Sequence, residues 1–242
     1  MTPTDGGVHV LAFDTATDVV TVAIGRAGVV VAEVELASAR SHAEHLVPAV
    51  ARCADEAGIA LDRLDAIAVG VGPGRFTGLR VGVTTAKVMA DALGIPVVGL
   101  STLEVLAAPW VAPDRDVLAV IDARRREVYW ARFRAGAAGP VALGPEAVAP
   151  PAAVVAAVAD AGPGLLVVGD GARAHPDVFA AIPGVRLADA AAAVPGAAAL
   201  VALGTARLGG VAAGSARALV PVYLRESDAA INWERATRGP GS

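Results

Sequence analysis

The stretch GVGPGRFTGLRVG, residues 70–82, has the glycine spacing typical of a turn that holds a phosphate group. It follows an apolar strand and precedes a predicted helix, whose N-terminal N–H groups could receive an anion. It lacks the Gly-Lys-Ser/Thr ending of a Walker loop, and Arg75 stands where a dinucleotide fingerprint needs its third glycine. Two interpretations stay open: an anion-binding turn, or a structural turn in which Gly72 and Gly74 adopt positive φ and Gly78 opens the helix.

Two aspartates stand at the ends of predicted strands, in segments that resemble each other. Asp14 lies in LAFDTATDVVTVAI and Asp122 in VLAVIDARRREVYW, and both segments read as strand, aspartate, polar turn, strand. Carboxylates placed in this way can orient magnesium or water beside a phosphate. Alternatively, each aspartate accepts hydrogen bonds from its own turn. The equivalent placement in two halves favours the functional interpretation and a duplicated α/β design.

The remaining reactive side chains form no recognised constellation. His42 and His45 lie three residues apart on one helix, but no HExxH pattern accompanies them, so we predict no metal site. No serine nucleophile elbow is present. The single cysteine, Cys53, allows no internal disulfide. A basic cluster is either a solvated face or a source of phosphate contacts to an RNA surface that a partner completes; it comprises Arg124, Arg125, Arg126, Arg132 and Arg134.

Composition restricts the class of protein. The 242 residues carry a net charge of −4, which is too acidic for a chain that would bind nucleic acid alone. The apolar windows 141–159 and 187–206 are interrupted by prolines and acidic residues, so we predict no membrane span. The N-terminus lacks the basic start of a signal peptide, and we expect a cytoplasmic protein.

The predicted elements place the glycine loop inside an α/β unit. Strands over 8–13, 19–25 and 29–37 form a meander, and a Ser41–Glu44 capping box opens a helix that bends at Pro48. A strand over 64–72 leads to the loop and to a helix over 78–93. The polar stripe of this helix is narrow and comprises Arg80, Thr84, Lys87 and Asp91. So little polar surface indicates that a second packing partner, besides the helix's own sheet, buries part of the helix.

Six motifs occur in one order over nearly the whole chain. They are FDTATDVVTVAI, SHAEHLVP, GPGRFTGLRVGVTTAKVMADALGIPVVGLSTLE, IDARRREVYW, VGDG and PVYLR. Together they resemble the TsaB (YeaZ) family of bacterial tRNA threonylcarbamoyladenosine biosynthesis proteins, and GPGxFTGLRxG is the most specific of them. The resemblance implies the actin-like ATPase (ASKHA, RNase H-like) fold with two related subdomains. These would span residues 1–105 and, in reduced form, 106–230, followed by a tail over 231–242.

The resemblance also implies a vestigial nucleotide cleft between the two subdomains. ATP or ADP would bind in this cleft or at a partner interface. Ala16 stands where the superfamily's phosphate loop has glycine. The positions that would line the cleft are Asp14, Thr15, Asp122, Gly169, Asp170 and Gly171.

The related catalytic subunit TsaD carries an HxxxH metal pair, and Thr102 and Leu106 stand at the matching positions. The resemblance therefore implies a non-catalytic partner of TsaD, joined by the ATPase TsaE, that acts on tRNA only within the complex. Whether the chain forms a homodimer when alone stays open. The implied partner surface uses the helices after the third strand and after the glycine loop, through His45, Leu46, Val50, Phe76, Leu79, Val83 and Ala86.

Two alternatives belong to other classes. A stand-alone ATPase or sugar-type kinase of the same fold would use Asp14 and Asp122 on a nucleotide. A peptidase would need a metal pair or a nucleophile–base couple, and the sequence shows neither.

Overall fold

The computed structural model describes residues 7–37, 42–210 and 216–225, which form two mixed β-sheets with helices packed on them. The Ser41 cap and the 231–242 tail expected from the sequence lie outside these residues.

The first sheet has five strands in the order β3-β2-β1-β4-β5. β1–β2–β3 is the predicted antiparallel meander, and β4 and β5 continue the sheet in parallel with β1. Almost every residue of β1 and β4 is buried, as expected for strands covered on both faces. The strands are β1 (His9–Asp14), β2 (Val19–Arg26), β3 (Val29–Ala37), β4 (Ala66–Gly72) and β5 (Val97–Ser101).

Helices cover both faces of this sheet. α1 (His42–Ala57) and α2 (Phe76–Leu93) pack on one face, while α3 (Thr102–Ala107) and α7 (Ala197–Gly210) contribute to the core on the other. The segment Ala190–Gly209 is long and apolar enough to cross a membrane by composition alone. Leu200 and Val201 within it are fully buried against β1 and β4, which is the pattern of a core helix.

The second sheet runs β11-β10-β6-β7-β8, with β9 paired to β7. The β6–β7 hairpin is antiparallel and β6 pairs in parallel with β10, which repeats the relation of β1 to β2 and β4. The elements are β6 (Val117–Asp122), β7 (Val128–Gly136), β8 (Gly139–Ala142), β9 (Ala147–Ala149), α4 (Pro151–Ala157), β10 (Leu166–Val168), α5 (Asp170–Ala174), α6 (Pro176–Phe179) and β11 (Arg186–Leu187).

The subdomain limits proposed from the sequence separate the first sheet from the second, but they do not assign every helix to the sheet on which it packs. Residue 105 falls inside α3. α7, which those limits assign to the second subdomain, packs on the first sheet.

The segment 216–225 runs from α2 to the second hairpin. The Lys87 ammonium donates to the Leu219 carbonyl oxygen (3.2 Å), and the Val222 N–H donates to the Val71 carbonyl oxygen (2.7 Å). Arg225 then reaches the Ala123 carbonyl oxygen (3.1 Å). The segment 216–225 of the same chain is therefore part of the second packing partner that the sequence of α2 predicted.

Candidate functional site

The glycine loop packs directly on the turn between β1 and β2. The Arg75 N–H donates to the Ala16 carbonyl oxygen at 2.7 Å. Gly72 has the expected positive φ of 105°, but the expectation for Gly74 is wrong, since its φ is not positive. Gly74 is required for a different reason: a Cβ there would overlap the Ala16 carbonyl and its Cβ. Close approach, rather than conformational freedom, explains this glycine.

Two helical glycines let the start of α2 approach Thr15. The Thr15 hydroxyl donates to the Gly78 carbonyl oxygen at 2.8 Å. A Cβ on Gly78 would overlap the Thr15 carbonyl oxygen, and one on Gly82 would overlap the Thr15 hydroxyl. The helix therefore begins on top of the hairpin turn, where a phosphate-binding loop would need open space.

Asp14 is a buried carboxylate whose oxygens both have partners. Its Oδ1 accepts the Ala16 N–H (2.7 Å) and its Oδ2 accepts the Thr102 hydroxyl (2.8 Å). Its exposed fraction is 1%, and burial raises its pKa above the ordinary value for aspartate. Thr102, the residue that stands in place of a metal-binding histidine, therefore completes the hydrogen bonding of Asp14.

The first hairpin turn is buried beneath the glycine loop. Asp14 and Thr15 are almost completely buried, and the glycine loop covers Ala16. Asp14 and Thr15, two of the six positions predicted to line a nucleotide cleft, therefore face the protein interior, and we correct the assignment of these two. The physical reason is the direct packing of the loop on the turn, where a Cβ on Gly74 would overlap Ala16 and one on Gly78 would overlap the Thr15 carbonyl oxygen.

The second hairpin ends in a carboxylate pair. The Asp122 N–H donates to Asp170 Oδ1 at 2.9 Å. Burial raises the pKa of both carboxyl groups, that of Asp170 to about 6. Gly169 has a φ of 109°, and a Cβ there would overlap the Val120 carbonyl oxygen, while a Cβ on Gly171 would crowd the Ile121 backbone. Both glycines therefore allow α5 to pack closely on β6.

The Asp170 carboxyl gives a prediction for pH dependence. Because its folded pKa is about 6 and its ordinary value 3.8, the native state loses stability as pH rises through this window. Asp170→Asn keeps an oxygen for the Asp122 N–H and removes the charge. We expect it to raise the free energy of unfolding near pH 7 by up to about 3 kcal/mol, with little gain near pH 4.

Urea unfolding of the Asp170→Asn variant and the parent across this pH window measures the effect. The exposed Asp177 on α6 provides the matched control, as Asp177→Asn. Parallel pH profiles for the Asp170→Asn variant and the parent would contradict the assignment.

Four charged residues join the glycine loop to both hairpin turns. Asp18 accepts Arg75 at 2.5 Å and Arg124 at 2.9 Å, and Arg124 also contacts Asp122 at 3.0 Å. Sequence reasoning missed Asp18 and Arg75. The one sequence feature that could have indicated this contact is Arg75 itself, because an arginine replaces the glycine that a dinucleotide-binding loop would have at this position. Such partly exposed pairs are weak one by one, but together they connect the glycine loop to both hairpin turns.

The predicted basic cluster separates into two parts. Arg132 and Arg134 both bind the Asp116 carboxylate, at 3.0 and 2.8 Å. These contacts hold the pKa of Asp116 below its ordinary value. Arg132 also contacts the Asp160 carboxylate at 3.2 Å, so both arginines are ion-paired. The other three arginines of the cluster lie together in the β6–β7 turn.

Most of the predicted partner-interface residues lie in this chain's own core. Their side chains are 0–3% exposed, so they cannot contact a partner in this conformation, and we correct that assignment; they are Leu46, Val50, Leu79, Val83 and Ala86. The helical pattern indicated an apolar face correctly but could not tell which face the sheet covers. Exposed apolar side chains do occur on the same two helices, at Val47 (59%) and Val88 (62%).

The two remaining interface candidates are partly exposed. The Phe76 and Tyr223 rings pack in a tilted arrangement with centroids 4.8 Å apart. The Arg80 guanidinium lies over the Phe76 ring, 4.0 Å from its centroid. His45 lies on α1, one turn after the buried His42, whose Nε2 donates to the Thr17 carbonyl oxygen at 2.8 Å. His42 therefore fixes the start of α1 to the first hairpin.

The sequence matches known proteins along most of its length. The family model described as TsaD, tRNA N6-adenosine threonylcarbamoyltransferase, matches residues 28–233. An uncharacterised protein of Mycobacterium tuberculosis is 41% identical over 91% of this chain and 93% of its own length. The TsaB protein of Escherichia coli K12, a tRNA threonylcarbamoyladenosine biosynthesis protein, is 40% identical over 52% of this chain and 55% of its own length.

Solved structures agree with the sequence matches. YeaZ from Pseudomonas aeruginosa superposes with a TM-score of 0.77 at 34% identity, covering 90% of this chain and all of that structure. EutJ from Carboxydothermus hydrogenoformans superposes with a TM-score of 0.50 at 12% identity, over 82% of this chain and 89% of its own, which shows the fold alone. The predicted actin-like ATPase fold is confirmed. The chain therefore belongs to the TsaD family and, within it, to the TsaB/YeaZ branch.

Proposed function

We propose that this chain is a non-catalytic scaffolding and activating subunit of the complex that forms threonylcarbamoyladenosine next to the anticodon of tRNA. It pairs with a TsaD-type catalytic subunit and works with a TsaE-type ATPase in the cytoplasm. The observation that carries the proposal is the closed first hairpin, where Asp14 binds Ala16 and Thr102 instead of facing a cleft.

The closed hairpin supports a role without catalysis. In a phosphoryl-transfer site the carboxylate must face the metal ion and the phosphates. Here the Asp14 carboxylate is buried beneath the glycine loop, and Gly70 packs against its Oδ2. Opening the site would require α2 to withdraw from Thr15, which would expose core residues such as Leu79.

The outer surface of α1 and α2 supports a protein partner. Val47 and Val88 are apolar, more than half exposed and lie on the two helices that the family resemblance assigns to pairing. The exposed Thr84, one turn before Val88, adds a small polar neighbour. Exposed apolar residues beside polar ones are the usual composition of a partner surface. We assign the pairing surface to this outer face instead of the buried face predicted first.

Reconstitution with purified subunits tests the proposal. The chain is combined with the TsaD-type and TsaE-type proteins of the same organism, and threonylcarbamoyladenosine in digested tRNA is measured by mass spectrometry. We expect no modified nucleoside from the chain alone and loss of product when the chain is omitted. Product from the chain alone, or full activity without it, would refute the proposal.

Calorimetry of the isolated chain with Mg-ATP distinguishes the proposed non-catalytic subunit from a stand-alone ATPase or kinase of the same fold. We expect no micromolar binding, because the first hairpin offers no phosphate site. Tight binding with turnover would instead favour a stand-alone ATPase or kinase. Sedimentation of the same sample determines whether the chain forms a homodimer.

A further inference from the structure

The turn between β6 and β7 has an unusual backbone. Arg124, Arg125 and Arg126 all adopt left-handed conformations, with φ of 61°, 54° and 61°. For residues other than glycine this conformation is unfavourable, because the Cβ comes too close to the following carbonyl oxygen. Three arginines in succession therefore make a costly turn, and such conformations persist only where the surroundings hold them in place.

Contacts from three directions hold this turn. Asp122 Oδ1 accepts the Arg124 N–H at 2.8 Å, and the Ala123 N–H donates to the Glu127 carbonyl oxygen at 3.0 Å. The Glu127 N–H donates to the Arg124 carbonyl oxygen at 3.0 Å. From the far end of the chain, Arg225 binds both the Ala123 carbonyl oxygen and the Glu127 carboxylate. The backbone of the turn is thus held by hydrogen bonds although it lies on the surface.

The charges on this turn are not all neutralised. Arg124 is paired with Asp18 and Asp122. Arg125 and Arg126 are exposed, and Arg126 has no hydrogen bond or ion pair within the part of the chain that the structure describes. A protein of net charge −4 therefore presents the Arg126 guanidinium to solvent without an ion pair among the described residues, beside the exposed Arg125.

We propose that the turn of residues 123–127, hereafter the arginine turn, binds phosphate groups of the tRNA backbone through Arg125 and Arg126. The inference rests on the proposed function, which brings tRNA to the complex. A guanidinium matches the geometry of a phosphate, and a turn whose backbone is already held by hydrogen bonds loses little backbone freedom on binding. The bound tRNA would lie near the start of α2, since Arg124 and Arg75 share Asp18.

The composition of the turn favours nucleic acid over an acidic protein surface. Protein interfaces are centred on apolar or aromatic side chains that become buried. The exposed side chains at the tip of the arginine turn are all cationic, and its one apolar residue, Ala123, is buried. Contacts of this kind contribute sequence-independent, salt-sensitive affinity.

The test measures tRNA binding by the complex of this chain with its TsaD-type partner, using fluorescence anisotropy of labelled substrate tRNA over a salt series. In Arg125→Asn/Arg126→Asn the charges are removed, while asparagine tolerates the left-handed conformation better than arginine does. We expect about tenfold weaker binding and a decrease of roughly one to two in the slope of log affinity against log salt. Arg125→Lys/Arg126→Lys should keep the slope.

Arg186→Asn is the matched control, because Arg186 is exposed on β11 of the same sheet and has no ion pair among the described residues. It should bind tRNA like the parent. Unchanged affinity and slope in the double asparagine variant would overturn the proposal. So would an unchanged tRNA affinity combined with weaker association of the two proteins, which would identify a protein contact.

The two proposals fail in different ways. If the parent complex modifies tRNA but the double asparagine variant binds tRNA equally well, only the arginine turn is refuted. If the parent complex neither binds nor modifies tRNA, both are refuted.

Discussion

Replacing Gly70 by alanine is expected to lower the free energy of unfolding by about 3 kcal/mol or more. The added Cβ would occupy the position of Asp14 Oδ2. Asp14 cannot turn away without losing the Ala16 N–H or the Thr102 hydroxyl, which would leave a buried carboxylate without a partner. Gly70 lies within β4, so the strand would have to shift in the middle of the first sheet.

Thermal and urea unfolding of the purified variant measure this effect. Gly144→Ala is the matched control, because a Cβ at this exposed glycine meets no atom within 4 Å. The control should unfold at nearly the same urea concentration as the parent. A Gly70→Ala protein as stable as the parent would show that Asp14 is not confined as the structure indicates.

Replacing Val88 by glutamate is expected to weaken association with the TsaD-type subunit by about a hundredfold. Val88 is 62% exposed in the isolated chain, so the substitution should leave folding unchanged. Glutamate is also a good helix former. If the outer face of α2 is covered by the partner, the new carboxylate would be buried there without a counter-charge, which costs several kcal/mol.

Isothermal titration calorimetry with the TsaD-type subunit measures the affinity. Val141→Glu is the matched control, since Val141 is 53% exposed on β8 of the other sheet. Equal affinity for the Val88→Glu variant and the control would remove α2 from the interface. Loss of affinity in both would point to a general effect of added negative charge.

Local patterns in the sequence predicted the secondary structure well. The β1–β2–β3 meander, the strand before the glycine loop and the second hairpin are confirmed, with ends shifted by a few residues. Alternating and continuous apolar runs determine these elements because each strand must bury a definite face. The repeated strand–Asp–turn–strand pattern also predicted the relation between the two sheets. These features depend on neighbours along the chain, so the chain alone reveals them.

The candidate site could be predicted only in part. Asp14 and Asp122 each end a strand, as their positions indicated. Asp14 is buried, whereas the N–H of the partly buried Asp122 donates to the Asp170 carboxylate. Their difference arises from the glycine loop, which packs on the first turn alone. Sequence spacing cannot show whether a glycine gives room to a ligand or to the protein's own backbone. At Gly74 and Gly78 the protein itself occupies that room.

The sequence by itself determined the two hairpins, the strand and helix on either side of the glycine loop, the duplicated plan and the family. Tertiary structure alone decided which residues are accessible. The apolar residues of α2 looked like one broad surface, yet Leu79 and Val83 face the sheet and Val88 faces outward. The arginine cluster looked uniform, yet two of its members form ion pairs with Asp116 and Asp160, whereas the other three lie in a turn that Arg225 contacts. Accessibility and charge pairing depend on residues about a hundred positions apart, as Arg225 and Ala123 are, and no local pattern encodes such contacts.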